Sequence, residues 1–146
     1  ARARARARAH MHGPLQVRTL GASHLRAMDK SGSSDPYVEI FVWCPGDVAC
    51  EHMWRSSTKS QTLSPAWNEA QEVPLSRRRA LLHVVLFDWD KVGTDEFLGE
   101  ALLVLDEHLD GARHSLKLEL DQLKGNQNSH ESPVTGFIEL EVSARG

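Results

Sequence analysis

The chain has 146 residues, of which 40% are apolar and 25% are charged, and this composition indicates one globular domain with its own core. It contains no run of eighteen apolar residues, so a transmembrane helix is not predicted. Four of the 17 basic residues lie within the first nine, and the remainder carries 13 basic against 20 acidic residues, a net charge of −7 that argues against nucleic acid as the main partner.

The chain opens with alternating Ala and Arg residues, followed by His10, Met11 and His12. This pattern has no apolar face to bury, and its like charges repel one another. We interpret residues 1–12 as a disordered leader or a cloning remnant, and a basic arm that binds anionic lipid is the alternative. Residues 13–146 are expected to form the domain.

Short apolar segments, separated by clusters of Gly, Pro, Asn, Asp and Ser, predict seven or eight strands and an all-β sandwich. An uninterrupted apolar segment at 81–87 predicts a strand that is buried on both faces, and the segment at 68–75 is a weaker candidate. One helical turn is expected within 106–111 and a polar loop at 125–133. The predicted strands are Leu15–Leu20, Tyr37–Trp43, Asn68–Leu75, Leu81–Phe87, Phe97–Leu105, Ser115–Leu120 and Phe137–Val142.

The two cysteines, Cys44 and Cys50, flank a Pro-Gly pair. A structural zinc site needs four nitrogen or sulfur ligands, and no histidine has the matching spacing. Two free thiols are favoured over a disulfide within the loop.

Two loops rich in acidic residues are the part of this sequence that points most directly to a chemical function. The first precedes the strand at 37–43, and the second follows the apolar strand at 81–87. A sandwich gathers its loops at two ends, so both can lie at one end and share a pocket. Repulsion among their carboxylates would be relieved by a hard cation such as Ca²⁺, which takes six to eight oxygen ligands. Mg²⁺ would demand tighter octahedral geometry.

The predicted calcium ligands are five carboxylates and three backbone carbonyls. Five negative charges suit two calcium ions better than one. A sixth carboxylate, that of Asp95, is a possible addition. The predicted ligand set is Asp29, Asp35, Asp88, Asp90 and Glu96, with the backbone oxygens of Met28, Trp89 and Thr94.

The segment from Asp88 through Asp90 to Gly93 begins like an EF-hand loop. Its fifth position is Val92 and its twelfth is Gly99, where an EF-hand has oxygen ligands. The flanking segments are also strand-like, so an EF-hand is rejected.

The sequence contains three motifs, which are Asp29-x5-Asp35-Pro36-Tyr37-Val38, then Leu63-Ser64-Pro65-Ala66-Trp67-Asn68-Glu69, and finally Asp88-x-Asp90-x5-Glu96-Phe97-Leu98-Gly99-Glu100. Taken together, these motifs resemble a C2 domain. The resemblance extends from about residue 14 to 144. It implies an eight-stranded antiparallel Greek-key sandwich in which the positions matching Asp29, Asp35, Asp88, Asp90 and Glu96 bind calcium.

The chain departs from the family pattern at two positions. Glu96 stands where an Asp is usual, which leaves the reach of that ligand open, and Gly93 stands where some members offer a serine to a third ion. The strand at 137–142 follows the other predicted strands, while only the leader precedes the strand at 15–20. This order resembles the circularly permuted, type II form of the family.

The resemblance implies calcium-dependent, reversible binding to anionic phospholipid membranes, by a cytoplasmic, monomeric targeting module of a larger protein. The apolar membrane contacts would be Val92 and Met28, with Lys91 and Lys30 meeting headgroup oxygens. The alternative is a protein-interaction module in which calcium is structural or absent. No catalytic spacing is present, so the chain is not expected to be an enzyme by itself, although it could be cut from one.

Many members of the family that this sequence resembles carry a lysine cluster on the sheet face, which binds phosphoinositides. The corresponding stretch here has only Arg55 and Lys59, so a phosphoinositide preference is not expected. The run Arg77-Arg78-Arg79 is denser, and we interpret it as a solvated turn, with a partner or lipid site as the alternative.

Overall fold

The computed structural model describes residues 14–44, 46–74, 80–123 and 132–144. The leader, the run at 77–79 and most of the loop predicted at 125–133 lie outside the described residues. The described chain forms eight strands and one short 3₁₀ helix. They are β1 (Leu15–Ser23), β2 (Pro36–Trp43), β3 (Glu51–Arg55), β4 (Ala66–Val73), β5 (Leu81–Asp88), β6 (Glu96–Val104), the 3₁₀ helix (Leu105–His108), β7 (Arg113–Glu119) and β8 (Phe137–Ala144).

The strands form two four-stranded antiparallel sheets. The first has the order β4-β1-β8-β7 and the second the order β3-β2-β5-β6. The predicted all-β sandwich is therefore confirmed. The last strand, β8, pairs with the first along its whole length, from Leu15 opposite Ala144 to Ser23 opposite Phe137, which is the order expected of the permuted form.

The core lies between the sheets and is built by alternating side chains. In β8 these are Ile138, Leu140 and Val142, and β5 faces them with Leu82, Val84 and Leu86. The expectation that β5 is buried on both faces is wrong in part. Leu81, His83 and Phe87 on its outer face are only half-buried, because described residues cover that face incompletely.

One strand was not predicted from the sequence. β3 consists of Glu51-His-Met-Trp-Arg55, and none of its side chains is fully buried. It forms because its backbone pairs with β2, with Glu39 opposite Arg55 and Val42 opposite Glu51. Both cysteines are free thiols, with Cys44 buried and Cys50 exposed. The described chain has no helix with the length and apolar character that crossing a bilayer requires.

Strand pairing decides where the acidic loops lie. β2 begins at Pro36 and β5 ends at Asp88, and these two residues are directly opposite each other. The loop before β2 and the loop after β5 therefore leave the sheet at the same end. We call residues 24–35 the first acidic loop and residues 89–95 the second acidic loop.

Candidate metal centre

The two acidic loops are joined directly by hydrogen bonds. The amide of Asp35 donates to Oδ1 of Asp88 over 2.7 Å, and the amide of Trp89 donates to the carbonyl of Asp35 over 2.9 Å. These contacts continue the β2–β5 ladder past its last residue pair. They bring the end of the first loop against the beginning of the second.

Asp88 is the buried member of the cluster, with 7% of its surface exposed. Burial raises the pKa of its carboxyl group, and the negative charges of Asp35, Glu96 and Asp29 raise it further, in that order. The hydrogen bond from the Asp35 amide opposes this rise. Four of the five predicted carboxylates are therefore close enough for their charges to interact across the two loops.

Asp35 also receives a hydrogen bond from a third loop. The amide of Gln61 donates to its Oδ1 over 2.6 Å. Gln61 lies between β3 and β4 with a positive φ of 49°, and the neighbouring Thr62 amide donates to the carbonyl of Ser34. Sequence reasoning missed this contribution, because a backbone amide carries no signal in the identity of its side chain.

Asp29 lies at the exposed side of the first loop. Its Oδ1 accepts hydrogen bonds from the Ser31 hydroxyl at 2.6 Å and from the Ser33 amide at 2.8 Å. The Ser31 hydroxyl and then the Ser33 amide lower the pKa of this carboxyl group, so it is held in its charged form. Gly32, with a φ of 82°, allows the tight turn between them.

The second loop is organised by Asp95. Its Oδ1 accepts from the Asp90 amide at 2.8 Å, and its Oδ2 accepts from the Tyr37 hydroxyl at 2.6 Å. Asp90 in turn accepts from the Val92 amide through Oδ1 at 3.0 Å. The sequence offers Asp95 as a possible additional metal ligand, but here both of its oxygens hold the loop in shape.

Arg26 is a component of this region that sequence reasoning missed. Only 5% of its surface is exposed, and its guanidinium donates to the carbonyls of Phe97 and Ser132. Burial lowers the pKa of this guanidinium, and the charge of Glu96 opposes the change. A buried arginine therefore lies beside the first residue of β6 and offsets part of the negative charge.

The donor set fits a hard cation. It consists of carboxylate oxygens on two facing loops, and the loops also contain Met28, Trp89 and Thr94, whose carbonyls are predicted as ligands. Within the described ranges, no three His, Cys, Asp or Glu side chains are arranged to hold a metal ion as they stand. The carboxylates therefore interact through their charges without already forming a common ligand shell.

The tips of the loops differ in polarity from their bases. Val92 is 81% exposed and Trp89 is 42% exposed, and both Lys91 and Lys30 are exposed to solvent. The sequence predicts Trp89 only as a carbonyl donor, and the structure also leaves this residue partly exposed at the tip of the second acidic loop. Met28 is half-buried and packs against the core, so its side chain contributes less to the tip than the sequence predicts.

Comparison with known proteins identifies the family. A sequence model of the C2 domain matches residues 13–120. The chain belongs to the C2 domain family. A solved C2 domain of plant extended synaptotagmin 1 superposes with a TM-score of 0.75 at 25% identity, covering 91% of this chain and 94% of that one.

Two curated relatives show the same relationship at the level of sequence. Tricalbin-3 of Saccharomyces cerevisiae is 33% identical over 110 residues, and synaptotagmin-9 of Rattus norvegicus is 37% identical over 90. These alignments cover 75% and 60% of this chain but only 7% and 18% of the relatives. This C2 domain therefore corresponds to a small part of each of those proteins.

Replacement of Asp88 by Asn tests the charge cluster. Asn keeps an oxygen for the Asp35 amide but removes the buried charge. Because folding raises the pKa of Asp88, its ionised form costs stability, and this cost appears as the pH rises above about 4. We expect D88N to melt about 3 °C higher than the parent at pH 7 and to differ little near pH 3. Thermal unfolding in chelator, monitored by circular dichroism across this pH range, measures the difference.

Asp110→Asn provides the matched control. Its hydrogen bond from His114 lowers the pKa of Asp110, so the ionised form favours folding, and D110N should lose stability at pH 7. A D88N protein less stable than the parent at pH 7 would contradict the electrostatic description of the cluster.

Proposed function

We propose that this C2 domain binds Ca²⁺ between its two acidic loops and, in the calcium-bound state, attaches reversibly to membranes that contain anionic phospholipid. The main support for this proposal is that the buried carboxylate of Asp88 lies within reach of three other negative charges. They belong to Asp35, Glu96 and Asp29. A cluster of this kind is costly without a cation, and all of its donors are oxygens. A solved structure of two C2 domains of extended synaptotagmin 2, which is 25% identical to this chain, is described as calcium bound.

The proposed ligands divide by loop. Asp29 and Asp35 would hold the ions from the first acidic loop, and Asp88, Asp90 and Glu96 from the β5 end, the second loop and the β6 start. Two bound calcium ions would supply four positive charges and open coordination positions for phosphate or carboxylate oxygens of lipid. The second loop itself is positioned by the hydrogen bonds that its last residue accepts from a tyrosine hydroxyl and a backbone amide.

The exposed loop tips supply the rest of the membrane contact. Val92 and Trp89 offer apolar surface that the bilayer interface can bury, while Lys91 and Lys30 can meet headgroup oxygens. The apolar area is small, so one domain of this kind attaches reversibly. We therefore infer a non-catalytic membrane-targeting module of a larger protein.

Vesicle co-sedimentation tests the calcium requirement. With about 1 mM calcium, vesicles of phosphatidylserine and phosphatidylcholine should pellet the parent chain, and chelator should release it. Asp90→Asn removes one proposed ligand charge and should abolish most of the calcium-dependent pelleting, while its side-chain oxygen still accepts the Val92 amide. Asp110→Asn, at the opposite end of the sandwich, should pellet like the parent. Equal pelleting in calcium and chelator would instead favour a protein-interaction module in which calcium is structural or absent.

Val92→Ser tests the contact made by the loop tip. Loss of an apolar side chain worth roughly 1.5 kcal/mol when buried should weaken vesicle binding about tenfold. Calcium binding in the absence of lipid should not change, because Val92 contributes no side-chain ligand. Val48→Ser is the control, since Val48 is fully exposed in the loop between β2 and β3 at the other end of the sheet. Equal losses in both variants would exclude a specific contact at Val92.

A further inference from the structure

The free edge of the second sheet is only partly covered. β6 is the last strand in the order β3-β2-β5-β6, so one side of its backbone faces away from β5. At Glu100 this side is closed, because Glu100 and Asp121 exchange two backbone hydrogen bonds of 2.9 Å. At the other end Leu105 donates to the carbonyl of Ala80, toward the β5 side.

Backbone direction alternates along a strand, so Leu102 and Val104 face outward as Glu100 does. Apart from the 3₁₀ helix that follows, no described residue forms a backbone hydrogen bond with either of them on that side. We call residues 101–104 the open edge segment. It offers up to three backbone hydrogen-bonding groups, which are the amide and carbonyl of Leu102 and the amide of Val104. The carbonyl of Val104 is not counted, because Val104 is the N-cap of the 3₁₀ helix and its carbonyl accepts the first hydrogen bond of that helix.

The side chains of the open edge segment are apolar where they face solvent. Leu102 is 46% exposed and Val104 is 48% exposed. Across the sheet Leu102 lies opposite His83 and Val104 lies opposite Leu81, and Leu81 in turn lies opposite Trp43. The apolar surface therefore continues from the edge onto the outer face of the sheet.

The other three edge strands are protected by polar residues, as free edges in native proteins usually are. The exposed residues of β7 include Arg113, Lys117 and Glu119, and those of β3 include Glu51 and Arg55. On β4 the exposed positions include Asn68 and Glu72. Among the four edges of the described sheets, only β6 combines an open backbone with exposed Leu and Val side chains.

We propose that the open edge segment binds an extended strand of a partner protein, which adds to the sheet beside β6. The partner strand would carry apolar side chains at alternate positions, to pack on Leu102 and Val104, and basic residues at its ends. This is strand addition, in which main-chain hydrogen bonds supply affinity and alternate side chains supply specificity.

The acidic residues near both ends of the open edge segment favour a partner strand with basic ends over a second copy of this chain. Asp121 pairs with Glu100, one residue before the open edge segment, and Glu107 follows the segment by three residues in the 3₁₀ helix. Both residues are exposed. Two copies pairing antiparallel would bring Glu107 of each toward Asp121 of the other, and these like charges would repel. A strand with basic ends would instead meet a carboxylate at each end.

The test uses a labelled, capped seven-residue peptide with valine at three alternate positions, threonine between them and lysine at both ends. Fluorescence anisotropy in chelator separates this binding from any calcium-dependent event, so the outcome is independent of the proposed function. Val104→Lys should weaken binding at least about tenfold. Val48→Lys, the same change at an exposed valine in the loop between β2 and β3, where it does not belong to the β6 edge, should leave binding unchanged.

Two further measurements test the proposal even if the Val104→Lys variant does not fold. The parent peptide should slow amide hydrogen exchange at Leu102 and Val104, and a peptide N-methylated at its central valine should bind at least about tenfold more weakly. Absence of binding to the parent chain, or protection confined to other strands, would overturn the proposal. A dimer in sedimentation equilibrium that Val104→Lys abolishes would assign the edge to a second copy and also overturn it.

Discussion

The hydrogen bond between the Asp35 amide and the Asp88 carboxylate is the contact on which the candidate site depends. It joins the end of one acidic loop to the strand that leads into the other, over 2.7 Å. It also holds a carboxylate in a position where 7% of its surface remains exposed. The same geometry that fixes the loops therefore concentrates negative charge, and this makes the end of the sandwich suited to a divalent cation.

The contacts around this hydrogen bond have two different roles: some fix the shape of the loops, and others change the charge of the site. Asp95 uses both of its oxygens to hold the second loop, and Arg26 places a buried positive charge next to Glu96. Asp29 remains at the exposed side, where Ser31 and Ser33 favour its charged form. Ionisation of the buried Asp88 carboxylate therefore costs stability, whereas ionisation of the exposed Asp29 carboxylate favours the folded state. A cation bound between them would interact with both.

The sequence predicted the sandwich because apolar alternation and turn residues can be recognised within a single short segment, such as Leu15–Leu20. It also predicted that the two acidic loops meet, since alternating strands return to the same end. It could not reveal β3, because the segment Glu51-His-Met-Trp-Arg55 does not alternate apolar and polar residues. The strand forms by pairing with β2, and only then do Met53 and Trp54 pack partly against the core. The roles of Arg26 and of the Gln61 amide depend on contacts between distant segments, which no local pattern encodes. The sequence of β6 predicts an apolar strand but not its position in the sheet, because strand order depends on distant segments. Only the sheet order shows that Leu102 and Val104 lie on an edge strand.

Isothermal calorimetry of calcium binding, with and without phosphatidylserine vesicles, tests the central claim most directly. The account predicts two calcium ions per chain and tighter binding when vesicles are present, because lipid and calcium that share one site strengthen each other reciprocally. It also predicts that calcium-dependent heat disappears in the Asp90→Asn variant. The absence of binding at about 1 mM calcium, or an affinity that vesicles leave unchanged, would contradict it.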